Sequence, residues 1–354
     1  MTIKTKSTLD TMQVLLVSLF AIGLCYGIGP KKLRSEDIDD AHIYLNMAYG
    51  KAEIAPFAYR VLGPKIVNVM PFSPELGFII LTYSSTLGII LLTYRLLREL
   101  GIPHISSMLT VFFMTFSYPI VFYLSRWGRI DPLSNLFFVF GLLLIYKRRI
   151  LIASVTIAIG VFAKETLIIL LPLLLLTIMK QKGENRFNKL LYAIALCLTP
   201  LACLLMLQKL ITPVDSDFFS IHGIDDLKRL LHFVWSGNVE DIGFFVRAIR
   251  ELLRAYGFFW VPAFFGLLIR KEMRAYCLYL IGVGFALCTI ATDWSRMLGM
   301  VFPGVFIPVG VFVEKVRQTG ASKHVLTSLV PLAVLQSYLS LLEYRPLSQM
   351  GKQD

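Results

Sequence analysis

Charge is what this sequence has least of. Only 16% of its 354 residues are charged, against about 25% in soluble domains. At the same time 56% are hydrophobic and the mean hydropathy is +0.69. That balance excludes an ordinary soluble enzyme, and because apolar runs recur along almost the whole length, it points to a polytopic membrane protein. Cysteine is also scarce. Cys25, Cys197, Cys203, Cys277 and Cys288 all fall in apolar segments and form no CxxC, so neither a disulfide framework nor a zinc site is supported and they read as small core residues. Histidine shows no pairing that would suit zinc; His42 alone reads as a surface or packing residue. No repeat of fixed period and no low-complexity tract is present, which argues against a transporter built from duplicated halves. The first apolar run, Met12 to Gly29, has no small-residue cleavage site and no lipobox before Cys25, so it reads as a retained helix.

Apolar runs bounded by charges, proline or glycine predict an all-α bundle of about eleven membrane segments, near 12–29, 75–94, 105–124, 131–146, 150–163, 166–179, 190–208, 255–269, 275–291, 297–313 and 324–341. With the N-terminus cytoplasmic, the inside segments hold seventeen cations and five acids, and the eighteen cations and eighteen acids left over cancel. The whole net charge of +12 then falls on one face, as the positive-inside rule requires. The basic balance therefore reports topology and not nucleic-acid binding. The expected layout is one integral membrane domain, 1–354, multi-pass in a cell membrane, with the C-terminus outside. Two long outer loops, 30–74 and 209–254, interrupt it. The second contains "IDDLKRLLHFVW" and "EDIGFFVRAIRELLRAYG", whose apolar residues recur at helical spacing, as in helices that lie in the interface or cover a site.

The polar groups that border the apolar runs all fall on the outer side of this layout. The opening of the first loop, "SEDIDDAHIYLNMAYG", packs Glu36, Asp37, Asp39 and Asp40 into five positions. An N-cap with acids in the first helical turn explains one or two of them. Crowding and partial burial would raise a carboxyl pKa and suit proton abstraction from a hydroxyl; oxygen ligation of Mg²⁺ or Mn²⁺ is the remaining option, although nothing in the sequence requires a metal. Asp40 and Tyr44 share one helical face. In "AKET", Lys164 and Glu165 interrupt two apolar stretches of 14 residues each, shorter than the ~17 a span needs. A charge there faces a cavity or a partner, or snorkels to the interface; Lys164 is expected to line a wet cavity as a phosphate or carboxylate ligand. "PFAYRVLGP" carries Arg60, "SRWGRIDP" carries Arg126, Arg129 and Asp131, and "TDWSRM" carries Asp293 and Arg296. Guanidinium groups suit bidentate phosphate recognition, and interfacial anchoring is the plainer use. Asp215 and Asp217 in "PVDSD" are weak on their own. Tyr44, Tyr49, Tyr59, Trp127 and Trp294 are candidates for stacking on a sugar ring or for packing at the interface.

A first helix, a long outer loop opening with "DIDDAHIYLNMAYG", then "PFAYRVLGP", "GRIDP" and "FAKET" among hydrophobic helices, resembles the GT-C superfamily of integral-membrane glycosyltransferases that use polyprenyl-phosphate-linked sugars. The resemblance covers nearly the whole chain in layout. It implies a transferase of polysaccharide biosynthesis with a polyprenyl-phosphate-sugar donor, a lipid or glycan acceptor and membrane lipids as partners. An acidic residue of the first loop, Asp40 before Asp39 or Asp37, would be the base for an inverting displacement. Lys164, Arg60, Arg129 and Arg296 would hold the leaving phosphate, with Glu36, Glu165, Asp131, Asp293 and Tyr44 around them. Two features depart from the pattern: the chain is short, and no large soluble C-terminal domain is expected, so acceptor recognition would use loops or lipid-facing grooves. A lipid-linked glycan transporter is the rival of another class, and a glycan polymerase or ligase is the rival enzyme.

Overall fold

A computed structural model describes residues 10, 12–20, 22–23, 40–51, 53, 56–125, 127–181, 185–213, 242–288, 294–319 and 322–341. Among them the chain is helical with no strand. After α1, described over 12–20, come α2 (Asp40–Ala48), α3 (Leu62–Asn68), α4 (Pro74–Glu99), α5 (His104–Met114), α6 (Tyr118–Ser125), α7 (Asp131–Tyr146), α8 (Ile150–Val161), α9 (Leu171–Met179) and α10 (Arg186–Leu210). The second half holds α11 (Ile242–Tyr256), α12 (Trp260–Ile269), α13 (Lys271–Cys288), α14 (Trp294–Met300), α15 (Phe302–Gln318) and α16 (Ser322–Leu341).

Local sequence explains most of the boundaries. Ser73 caps α4 by accepting from the Leu76 amide at 3.4 Å, with Pro74 in the first turn. Asn185 caps α10 through the Phe187 amide. The described residues of the expected apolar segments from residue 75 onward are mostly helical, but two segments are sharply bent. The α5–α6 pair bends by 53° and the α14–α15 pair by 64°. Pro119 and Pro303 each sit in the first turn after the break, where proline starts a helix easily. By length and composition, Pro74–Glu99, Phe187–Leu210 and Ile249–Ile269 can cross a membrane, and each bent pair adds one more span. Asp131–Tyr146, Ile150–Val161, Glu165–Met179 and Thr327–Gln336 are apolar but shorter.

Most of the apolar core forms one cluster between α4–α9 and α12–α15. Gly266 lets α12 approach the backbone of α15 at Pro308, a place a Cβ would occupy, in keeping with small residues at helix contacts in membranes. Large apolar side chains also face outward, among them Leu151, Val155 and Ile159 on α8, Leu198 and Met206 on α10, and Phe264 and Leu268 on α12. Continuous apolar exposure of this kind suits lipid and not water. On α11, Val246, Ile249 and Leu253 are exposed while Glu251, Ala255 and Tyr256 are buried. A second, smaller cluster of Tyr44, Ala48, Val67, Phe78, Leu81, Ile130, Leu133 and Ala163 seats α2 and α3 on the start of α7 and the end of α8. It forms the floor of the polar site.

Candidate functional site

Five separated segments deliver charge to one place. Asp40 is the first residue of α2, and Arg60 follows a short 3-10 turn, Phe57–Tyr59. Arg129 and Asp131 open α7. Lys164 and Glu165 occupy the break between α8 and a 3-10 turn, Glu165–Leu170. Arg296 lies on the short arm α14 of a bent pair. Lys164 and Glu165 thus lie at a helix break, and irregular backbone among apolar helices is tolerated where protein or a cavity surrounds it.

The segments are tied locally before any charge meets. The Leu62 amide donates to the Phe162 carbonyl at 2.9 Å, joining "PFAYRVLGP" to "FAKET". Gly128 turns the chain into Arg129 with φ +93°, and a Cβ there would lie 2.9 Å from that of Ala41, beside Asp40. A left-handed conformation costs an L-residue roughly 1–2 kcal/mol. Gly128→Ala is therefore expected to lower stability by about that much or more and to push α2 away from Arg129; thermal unfolding in detergent measures it.

Arg296 is the centre of the site. It pairs with Asp40 through Nη1 at 2.5 Å and with Asp131 through Nη2 at 2.7 Å and Nε at 2.9 Å. The other Asp131 oxygen accepts from Lys164 Nζ at 2.6 Å. Arg129 lies 3.9 Å from Asp40 and over the Phe122 ring. Arg60 donates to both Glu165 carboxylate oxygens along one guanidinium edge, through Nη2 at 2.5 Å and Nε at 2.9 Å, and to the Tyr44 hydroxyl through Nη1 at 3.0 Å. Among the described residues, four cations thus meet three carboxylates. Lys164 and Asp131 are each 1% exposed, whereas Asp40 and Arg296 keep 19% and 12% of their side chains accessible. The inner pair is closed and the outer pair is reachable.

The geometry revises several expectations. Burial pushes the Asp40 carboxyl up, but the guanidiniums of Arg296 and Arg129 outweigh it, and the net pKa lies below the ordinary carboxylate value. The expected raised pKa fails because cations, and not only neighbouring acids, surround the group. Lys164 does not line a wet cavity; it is buried against Asp131. The ring of Tyr44 is fully buried, edge-on to Phe57, so it packs and cannot stack on a sugar. Trp294 is also buried, whereas Tyr49 is exposed and donates to Glu75 at 2.8 Å. Asn135, which the sequence reading passed over, is fully buried one turn beyond Asp131 and donates to the Tyr123 hydroxyl; its i+4 spacing from Asp131 was the available signal. Glu36, Asp37, Asp39, Asp293, Arg126, Asp215 and Asp217 lie outside the described residues. Among the described residues no three His, Cys, Asp or Glu side chains gather as a metal site.

No protein-family model and no curated protein sequence matches the chain. Among solved structures it is similar to the archaeal oligosaccharyltransferase AglB from Archaeoglobus fulgidus, in complex with an inhibitory peptide and a dolichol-phosphate. The TM-score is 0.53 at 13% identity, and the match covers 95% of this chain and 57% of that one. The likeness is one of fold alone, and the chain spans little more than half the length of that protein.

Proposed function

We propose that this chain is a multi-pass membrane glycosyltransferase of GT-C type, which moves a sugar from a polyprenyl-phosphate-linked donor to a lipid or glycan acceptor on the outer membrane face. The observation that carries the reading is the buried constellation itself. Burying Arg60, Arg129, Asp131 and Lys164 is costly, and beside them Asp40 and Arg296 stay accessible to a ligand. A fold shared with a protein solved with dolichol-phosphate supports a lipid phosphate as the anion.

In this reading the cations act on the leaving group. The donor phosphate draws Arg296 and Arg129 from Asp40 and stabilises the charge that develops as the anomeric C–O bond breaks. Lys164 and Asp131, closed from solvent, hold Arg296 in position. Asp40, relieved of its ion pair, rises in pKa and accepts the proton of the acceptor hydroxyl. The hydroxyl oxygen attacks the anomeric carbon from the face opposite the phosphate. Configuration inverts, and polyprenyl phosphate departs with the bonding electron pair. Donor binding thereby activates the base. The N-terminus is cytoplasmic and the C-terminus is outside.

Mass spectrometry of lipid-linked sugars and surface glycans, with and without the chain in its native membrane, tests the assignment. Removing the chain is expected to leave one polyprenyl-phosphate sugar in excess and one sugar missing from a product. An unchanged donor pool with a complete lipid-linked glycan held on the inner leaflet would instead assign transport.

A further inference from the structure

The far end of α7 carries a second site. From Asp131 to Tyr146 the helix runs roughly 22 Å at 1.5 Å per residue. There the ends of α4, α7 and α9 and the start of α13 enclose a cavity of about 240 Å³. Leu96, Leu142, Leu280 and Ile307 form its apolar wall, and its polar lining includes three cations, Arg148, Lys180 and Arg270, against one acid, Glu272. Arg270 is held in place by donating to the Leu100 carbonyl at 2.7 Å, and the Lys180 ammonium lies 5.3 Å from the centre of the Tyr276 ring.

Arg148 has the backbone that makes this more than a basic rim. Helix α7 ends in a Schellman arrangement, with the Arg148 amide on the Ile145 carbonyl at 3.0 Å and the Arg149 amide on that of Leu144 at 2.9 Å. The residue at the left-handed position of such an end is usually glycine. Here it is Arg148, with φ 57°, and among the described residues no other non-glycine residue has a positive φ. An arginine held in a conformation that disfavours it points to a use for its side chain.

We propose that this cavity binds an anionic phospholipid, with the headgroup phosphate between Arg148, Lys180 and Arg270 and the first acyl carbons against the leucine wall. On the sided layout proposed above, the lipid comes from the cytoplasmic leaflet, where basic pockets between helices recognise anionic headgroups. The volume corresponds to on the order of eight water-sized groups of ~30 Å³. That accommodates a phosphoglycerol head and the start of a chain, so the tails leave between helices into the bilayer. The site depends on the membrane reading and is independent of glycosyl transfer.

Native mass spectrometry of the full chain in mild detergent, with phosphatidylglycerol or phosphatidylcholine added, tests the proposal. Phosphatidylglycerol is expected to stay bound in preference. Arg148→Gly is expected to weaken its retention about tenfold, the loss of one charge-assisted contact, while unfolding at no lower temperature because glycine suits the turn. Lys180→Gln is expected to weaken retention separately. Equal retention of both lipids, undiminished phosphatidylglycerol on Arg148→Gly, or a lower unfolding temperature for that variant would overturn the proposal. Displacement of the lipid by millimolar inorganic phosphate would assign the cations to a soluble anion and overturn the lipid.

Discussion

Asp40→Asn is expected to lower sugar transfer by about 10²–10⁴-fold, the range of a positioned general base, while the chain still accumulates in the membrane. The substitution keeps the shape of the side chain and removes the proton acceptor. It leaves Asp131 in contact with Lys164 and Arg296, so the inner contacts stay in place. The pH dependence separates chemistry from folding. In the free protein the Asp40 pKa lies below its ordinary value because Arg296 and Arg129 outweigh burial, so the acid limb of kcat/KM should fall below the ordinary carboxylate range. In the donor complex the phosphate competes for those guanidiniums and the carboxyl pKa rises. The acid limb of kcat, which reports the bound state, is therefore expected at higher pH than that of kcat/KM. Coincident limbs would remove the coupling between donor binding and the base.

Asp131→Ala acts through stability. Asp131 is the common partner of Lys164 and Arg296, and both members of the inner pair are buried. Removing one member of a buried ion pair costs about 3–5 kcal/mol, because an uncompensated charge remains in a low dielectric. That is a large fraction of a total stability of about 5–15 kcal/mol. The variant is expected to be degraded and nearly absent from membranes, as read by immunoblot and by thermal unfolding of what survives. Combining Asp131→Leu with Lys164→Met removes both charges, and abundance is expected to recover in part without transfer. If Asp131→Ala accumulates like the wild type, the pair is not the keystone of the site.

The participants were legible in the sequence and their pairing was not. Asp40, Tyr44, Arg60, Arg129, Asp131, Lys164, Glu165 and Arg296 stand out as polar interruptions of apolar sequence, where each charge needs a reason. Which cation meets which acid depends on contacts 33 to 256 residues apart, and local spacing carries no information about those. Lys164 looks like a ligand in "AKET" because the sequence shows its apolar flanks; its counter-ion lies in "GRIDP". Asp40 looks like a carboxyl raised by neighbouring acids, whereas Arg129 and Arg296 reach it from other helices. Helix type followed from apolar runs, and the breaks at 115–117 and near Val301 did not, although Pro119 and Pro303 mark them. The left-handed turn at Arg148 could not be anticipated, because arginine gives no sign of a positive φ.

The central claim is that the Asp40–Arg296 constellation transfers a sugar from a lipid phosphate. Its most direct test is the lipid-linked sugar pool of membranes carrying wild type or Asp40→Asn at matched abundance. The variant is expected to leave one polyprenyl-phosphate sugar unconsumed and its product without that sugar. Normal consumption of the donor with a complete product would contradict it and leave the buried charges as architecture alone.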